Sequence, residues 1–216
     1  MGKKSLPVAA AMGTVLIAAQ TLYSILGDAS LLRPPGAQSE DDFIARCVSC
    51  GKCVLACPYA AIQTATIATG RSAGTPYIDA RRKACRMCEG FPCVAACPTG
   101  ALRDITTRAD VRMGTAVINE DLCVVFTNAN RCEVCYRVCP LIDQAISIDY
   151  RKREGDIHHV LFAPVINVDK CTGCGICVER CVISQPDVAI KIEPRREPVA
   201  EPVAEPAAGP GTGPSS

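Results

Sequence analysis

The chain has 216 residues and a formal net charge of +1, with no Trp and only 4% aromatic residues. That composition leaves little for a large aromatic-rich core, and the near-neutral charge argues against nucleic-acid binding. Sixteen cysteines, far above ordinary usage, point instead to a chain stapled by disulfides or by metal.

Lys3 and Lys4 precede an uncharged run from Ser5 to Gly27, which as a helix would reach about 34 Å, enough to cross a bilayer. Residues 1–30 are therefore expected to form a signal or membrane-anchor helix. No small-x-small cleavage site follows the run, which favours retention as an anchor over removal. The lysines ahead of it and Asp28, Glu40, Asp41 and Asp42 behind it orient the N-terminus inside and the body outside the cytoplasm. A buried helix in a soluble protein is the alternative. Residues 31–40, with Pro34, Pro35 and Gly36, read as a linker, and residues 41–193 as the folded body. Beyond it, Pro194, Pro198, Pro202, Pro206, Pro210 and Pro214 recur every four residues. Residues 194–216 thus have the composition of a disordered spacer.

Inside the body the cysteines fall into four runs, with none left over: Cys47, Cys50, Cys53, Cys57; Cys85, Cys88, Cys93, Cys97; Cys123, Cys132, Cys135, Cys139; and Cys171, Cys174, Cys177, Cys181. Short β-like stretches precede three of them, at Thr75 to Asp79, Ala116 to Asn119 and Pro164 to Val168. After each run comes a small-apolar pair: Ala61-Ile62, Ala101-Leu102, Ala145-Ile146 and Ala189-Ile190. The repeating unit reads strand, cysteine loop, short helix, strand. It predicts an α+β fold of bacterial-ferredoxin-like modules, two dicluster modules in all, with the N-terminal helix and the tail outside them.

The first and last runs have the spacing C-x₂-C-x₂-C-x₃-C, in which three close cysteines hold one [4Fe–4S] cluster and the fourth reaches its neighbour. Pro58, Pro98 and Pro140 follow the fourth cysteine in three runs, and Val182 takes that place in the last. Disulfides drawn from such tight loops would cross-link poorly. A zinc array would favour paired C-x₂-C units with His, and His158 and His159, the only histidines, lie outside the runs. The expected cofactors are four [4Fe–4S] clusters. At about −2 per oxidised cubane with its thiolates, they would take the net charge to about −7.

Pairing of the runs is less constrained by the spacing. Run two has four residues between Cys88 and Cys93, and run three has eight between Cys123 and Cys132, so like would pair with like. The expectation is a nested arrangement: an outer module of runs 47–57 and 171–181, and an inserted module of runs 85–97 and 123–139. The ligand sets would then be Cys47, Cys50, Cys53 with Cys181; Cys171, Cys174, Cys177 with Cys57; Cys85, Cys88, Cys93 with Cys139; and Cys123, Cys132, Cys135 with Cys97. Sequential pairing, one with two and three with four, is the alternative.

Several local motifs carry a family resemblance: Arg33-Pro34-Pro35-Gly36-Ala37, Cys57-Pro58-Tyr59, Gly74-Thr75-Pro76-Tyr77, Arg112-Met113-Gly114, and above all Cys132-Glu133-Val134-Cys135-Tyr136-Arg137-Val138-Cys139-Pro140-Leu141-Ile142-Asp143. Through them the stretch from Leu32 to Ile192 resembles the NapG/MauM ferredoxin-type proteins. The resemblance implies a periplasmic electron carrier working with a polytopic membrane ferredoxin-type protein that oxidises quinol. Electrons would pass toward a periplasmic reductase or its electron-carrier subunit, nitrate reductase in the NapG branch; MauM-like members accompany methylamine utilisation. Resemblance to the four-cluster subunits of molybdenum oxidoreductases implies the nested pairing as well. One departure is Lys3-Lys4-Ser5-Leu6-Pro7 where NapG-like proteins carry a twin-arginine signal, which leaves a cytoplasmic location open beside the periplasmic, membrane-attached one.

An electron carrier needs closely spaced cofactors and no general base. No nucleophile-base pair, phosphate-binding glycine loop or flavin fingerprint is apparent, so a self-contained enzyme is not expected. Arg81, Arg82, Lys83, Arg131 and Arg137 are placed to offset cluster charge or to lie as solvated surface charge. The stretch Arg151 to His159 reads as a polar surface loop. Two further classes stay in view: an electron-transfer subunit bound to a molybdenum enzyme, and an assembly factor with structural clusters.

Overall fold

The computed structural model describes residues 31–152 and 160–195. The anchor expected over residues 1–30, the tail beyond residue 195, and the stretch 153–159 with His158 and His159 lie outside the described residues. Among the described residues no helix is long and apolar enough to cross a membrane.

Residues 31–40, expected as a linker, are instead packed structure. Leu32, Pro34 and Pro35 are buried, and the Leu32 carbonyl accepts from the Ile78 N–H at 2.8 Å. Arg33 is buried too. Its guanidinium donates to Thr75 Oγ1 and to the Pro76 carbonyl, both at 2.8 Å, pairs with Glu40, and lies 4.7 Å from the centre of the Phe43 ring. The charge is affordable inside because every side of it meets an acceptor or a π face. Two sequence motifs far apart in the chain, at 33–37 and 74–77, thus meet through one arginine. Helix α1 (Glu40–Arg46) follows. Ser39 caps it, Glu40, Asp41 and Asp42 favour its positive end, and Arg46 pairs with Asp42 one turn back at 2.8 Å. Its apolar contribution to the core is Phe43, which is completely buried.

The remaining elements repeat one plan twice. In the first module, α2 (Lys52–Ala56) lies in run one, β1 (Ile62–Thr64) pairs antiparallel with β2 (Pro76–Ile78), and α3 (Pro92–Ala95) lies in run two. An antiparallel bridge between Ala37 and Leu102 closes it. In the second, β3 (Gly114–Ile118) leads to α4 (Val134–Arg137) in run three. Then β4 (Ile146–Lys152) pairs with β5 (Val160–Ile166), α5 (Ile176–Arg180) lies in run four, and β6 (Ile190–Pro194) returns to β3. Pro194, assigned to the tail from sequence, pairs with Gly114 and belongs to the body.

This topology corrects the nested arrangement. The strand leaving run one pairs with the strand entering run two, Ile62 opposite Ile78, and the strand leaving run three pairs with the strand entering run four, Ile146 opposite Ile166. One hairpin therefore sets run two beside run one and another sets run four beside run three, which closes short loops rather than a long one. The mixed helix and strand content is that of an α+β ferredoxin-like fold. Ala61-Ile62, Ala101-Leu102, Ala145-Ile146 and Ala189-Ile190 are all buried, because after each fourth cysteine the chain turns back under the loop it has left.

The modules share a core: Val111, Met113 and Cys174 of the second belong to the same apolar cluster as Phe43, Met87 and Phe91 of the first. A second cluster of Ala116, Val178, Val188 and Ile190 lies within the second module.

Candidate metal centre

The sixteen cysteines are all unpaired thiols, and the fold collects them into four groups of four. Cys47, Cys50 and Cys53 line one cavity with Cys97, walled by Phe43, Pro76 and Leu102. Cys171, Cys174 and Cys177 line another with Cys139, walled by Leu141, Ile146 and Ile166, with Cys135 of run three at its border. Cys57 sits by run two: after burial, its charge is the main influence that pushes the Cys88 thiol up, and it acts in the same direction on Cys93, which burial drives to about 11. Cys181 sits by run three, where burial and then Cys123, Cys132 and Cys181 push Cys135 up to about 12.

The fourth cysteine of each run thus crosses to the other run of its own module. The sets Cys47, Cys50, Cys53 with Cys181; Cys171, Cys174, Cys177 with Cys57; Cys85, Cys88, Cys93 with Cys139; and Cys123, Cys132, Cys135 with Cys97 are not the groups the fold assembles. Similar spacing in runs one and four reflects similar loops, whereas partnership is decided by the intervening hairpin.

Both irregular runs are ordered by local structure. In run two the two extra residues leave Gly90 and Phe91 in the left-handed region, with Phe91 buried and Pro92 opening α3. In run three the long insert folds back on itself: the Asn130 N–H donates to the Val124 carbonyl at 3.0 Å, and Val125 is buried beneath it.

The donor set fits an iron–sulfur group. At a Zn–S distance of about 2.3 Å the four sulfurs of a zinc site would lie about 3.8 Å apart. Among the described residues no group of three or more His, Cys, Asp or Glu closes in that way around a single ion. The thiols instead line the walls of a cavity, as a polynuclear group requires. Amides are aimed at the sulfurs: Ala61 N–H at Cys57 Sγ and Ala116 N–H at Cys171 Sγ, both at 3.4 Å. At Cys97 burial is opposed and outweighed by the amides of Leu102, Thr99 and Ala101 and by the Thr99 hydroxyl, which lower the thiol. Elsewhere burial dominates and raises the thiols, Cys53 to about 11 and Cys85 to about 12. Such thiols need a bound cation to exist as thiolates.

The basic residues singled out from sequence are all exposed, as solvated surface charge, and each is held by a partner in the fold. Arg131 and Arg137 both pair with Glu133, at 2.9 and 2.6 Å, and Arg131 stacks 3.7 Å from the centre of the Phe162 ring. Arg82 reaches Gln63 at 3.4 Å, and the Lys83 N–H caps onto the Asp79 carbonyl at 2.8 Å. Arg81 donates across the module boundary to the carbonyls of Val178 at 2.8 Å and Cys181 at 3.0 Å, at the end of α5. Sequence reasoning missed Arg86 and Glu179, which pair at 2.5 Å across the same boundary. Burial would raise the Glu179 carboxyl, but the Ala84 N–H, donating at 2.7 Å, and Arg86 outweigh it and hold it below its ordinary value. No pattern in the sequence links these two positions, which lie 93 residues apart.

Two dicluster modules, each with eight cysteines from two neighbouring runs, define an iron–sulfur protein of the ferredoxin type. The family model for the 4Fe-4S dicluster domain matches residues 46–101 and 128–184, one segment in each module. The ferredoxin-type protein NapG of Escherichia coli (strain K12) is 49% identical over 165 residues, covering 76% of this chain and 70% of that protein. The methylamine utilization ferredoxin-type protein MauM of Methylorubrum extorquens is 44% identical over 170 residues, covering 78% and 74%. MauM of Paracoccus denitrificans is 40% identical over 188 residues, covering 86% and 81%. The chain belongs to the NapG/MauM family of ferredoxin-type, [4Fe–4S] electron-transfer proteins.

Proposed function

We propose that this protein holds four [4Fe–4S] clusters and carries electrons from a quinol-oxidising membrane partner to a periplasmic reductase, as a membrane-attached carrier on the periplasmic side. The observation that carries the reading is the assembly of sixteen thiols into four groups of four, each with three cysteines of one run and the last cysteine of its partner. The ligand sets are Cys47, Cys50, Cys53, Cys97; Cys85, Cys88, Cys93, Cys57; Cys171, Cys174, Cys177, Cys139; and Cys123, Cys132, Cys135, Cys181. Bound there, the clusters supply one-electron chemistry. The protein's part is to hold thiolates in dry cavities, donate amides to sulfur, and exclude water with Phe43, Leu102, Ile146 and Ile166. The uncharged stretch from Ser5 to Gly27 supports membrane attachment, and similarity to NapG favours a reductase such as nitrate reductase as destination.

A second reading follows from the matches to MauM, whose name ties it to methylamine utilisation. One experiment separates them: anaerobic purification from detergent-solubilised native membranes, mass spectrometry of what accompanies the protein, and addition of quinol. Cluster reduction with a membrane quinol-oxidising partner is expected. Co-purification with methylamine-oxidising components favours the second reading, and a soluble protein without a membrane partner refutes both the partner and the location.

A further inference from the structure

The four groups of cysteines are not equivalent in position. Within the first module the helices α2 and α3, which carry Cys53 and Cys93, pack on each other, and within the second Cys135 and Cys177 line the same cavity. Between the modules the direct link is from run two to run four: the Cys85 N–H donates to the Cys174 carbonyl at 3.0 Å. Both residues belong to cluster ligand sets, so a hydrogen bond joins the backbone of one set to the backbone of the other. The surroundings are dry, with Ala84 and Met87 buried on one side and Thr172 and Cys174 on the other. They are also braced. Glu179 accepts from the Ala84 N–H at 2.7 Å and from Arg86 at 2.5 Å, and Arg81 reaches the carbonyls at the end of α5. Three side chains therefore fix how run two sits on run four.

We infer that electrons cross between the modules through the run-two and run-four sites, and that Glu179, Arg86 and Arg81 are positioning residues for that crossing. This rests on the proposed four-cluster reading and orders the sites in a line: Cys47/Cys50/Cys53/Cys97, then Cys85/Cys88/Cys93/Cys57, then Cys171/Cys174/Cys177/Cys139, then Cys123/Cys132/Cys135/Cys181. The run-one and run-three sites are the two ends, where electrons enter and leave. Loaded, each of the four sites would hold a one-electron cluster, so that a crossing would oxidise one site by a single electron and reduce its neighbour by one, with no bond made and no proton transferred at the cysteines.

The test is low-temperature electron paramagnetic resonance of the dithionite-reduced, full-length protein, with iron and acid-labile sulfide counted in each sample. Cys50→Ala with Cys132→Ala empties the end sites and leaves the two inner ones, whose spectra are expected to show mutual spin–spin splitting. Cys88→Ala with Cys177→Ala empties the inner sites, and the two remaining signals are expected to be isolated. The reverse pattern, or no splitting between the inner pair, overturns the order. Absence of sulfide from the unaltered protein overturns the four-cluster reading itself, and so separates the two failures. Glu179→Ala, with every cysteine in place and an unchanged iron count, is expected to weaken the inter-module splitting. An unchanged spectrum overturns the positioning role even if the cysteine variants fail to load.

Discussion

Gly51 and Gly175 hold the same place in their loops, each preceding a short helix with a left-handed backbone, φ 71° and 81°. Only their surroundings differ. A Cβ at Gly51 would meet nothing within 4 Å, whereas one at Gly175 would come 2.5 Å from the Ala80 Cβ and 3.7 Å from that of Ala84. Gly51→Ala therefore carries only the left-handed penalty, about 1–2 kcal/mol. Gly175→Ala carries the same penalty and must also push the second module off the first by about 1 Å, an overpacking cost of about 1–3 kcal/mol. For a body of this size a loss of 1 kcal/mol lowers the midpoint by about 2–4 °C. Gly51→Ala is thus expected to lose roughly 2–8 °C, and Gly175→Ala roughly 4–20 °C. The assay is anaerobic thermal denaturation at one scan rate, followed by visible absorbance of the bound clusters. Equal losses for the two variants would refute the reasoning, because they would mean that the modules do not touch at Gly175.

Four further outcomes are expected. Cys57→Ser and Cys57→Ser with Cys88→Ala should lose the same single cluster by iron and sulfide count, because both residues serve the run-two site; loss of a second cluster in the double variant would restore the nested pairing. Arg33→Met should destabilise by about 3–5 kcal/mol in the same melt, since it leaves Glu40 without its buried partner, and Arg33→Lys should recover little because it lacks the planar fork. Phe43→Ala, which empties a completely buried position, should cost about 3–5 kcal/mol. Stripping the clusters with a chelator under oxidising, oxygen-free conditions should abolish the near-ultraviolet dichroism of the body, because the thiols of Cys53, Cys93 and Cys174 are buried in the core the clusters complete.

Much of the fold was legible because cysteine spacing, the proline after it and the small-apolar pair that follows are all local features. They located the runs, the short helices and the buried turns at Ala61, Ala101, Ala145 and Ala189. The pairing of the runs is not local. Its signal lies in the strands, since Ile62–Thr64 and Pro76–Ile78 stand between runs one and two as a hairpin pair, whereas the likeness of the loops in runs one and four points the other way. Residues 31–40 misled for a different reason: Pro34 and Pro35 do forbid a helix, yet an extended segment can be buried when something like Arg33 and its acceptors fastens it. The Arg86–Glu179 pair was invisible because neither residue differs in type from ordinary surface charge.

The two modules use the same plan with their regular and irregular runs in opposite order. In the first, the regular run comes first and the irregular second; in the second, the long insert between Cys123 and Cys132 comes first and the regular run last. What matters for the junction is that the two second runs meet. Run four brings Gly175 against Ala80 of the first module, and Gly173, within its own module, against the Gly114 backbone, where an added Cβ would lie 2.4 Å from an amide nitrogen. Such close approach is possible only for a compact loop without side chains at those points. In run three the exposed Arg131 and Arg137 instead pair with Glu133 beside the long insert, bulky side chains that the compact approach at Gly175 has no room for.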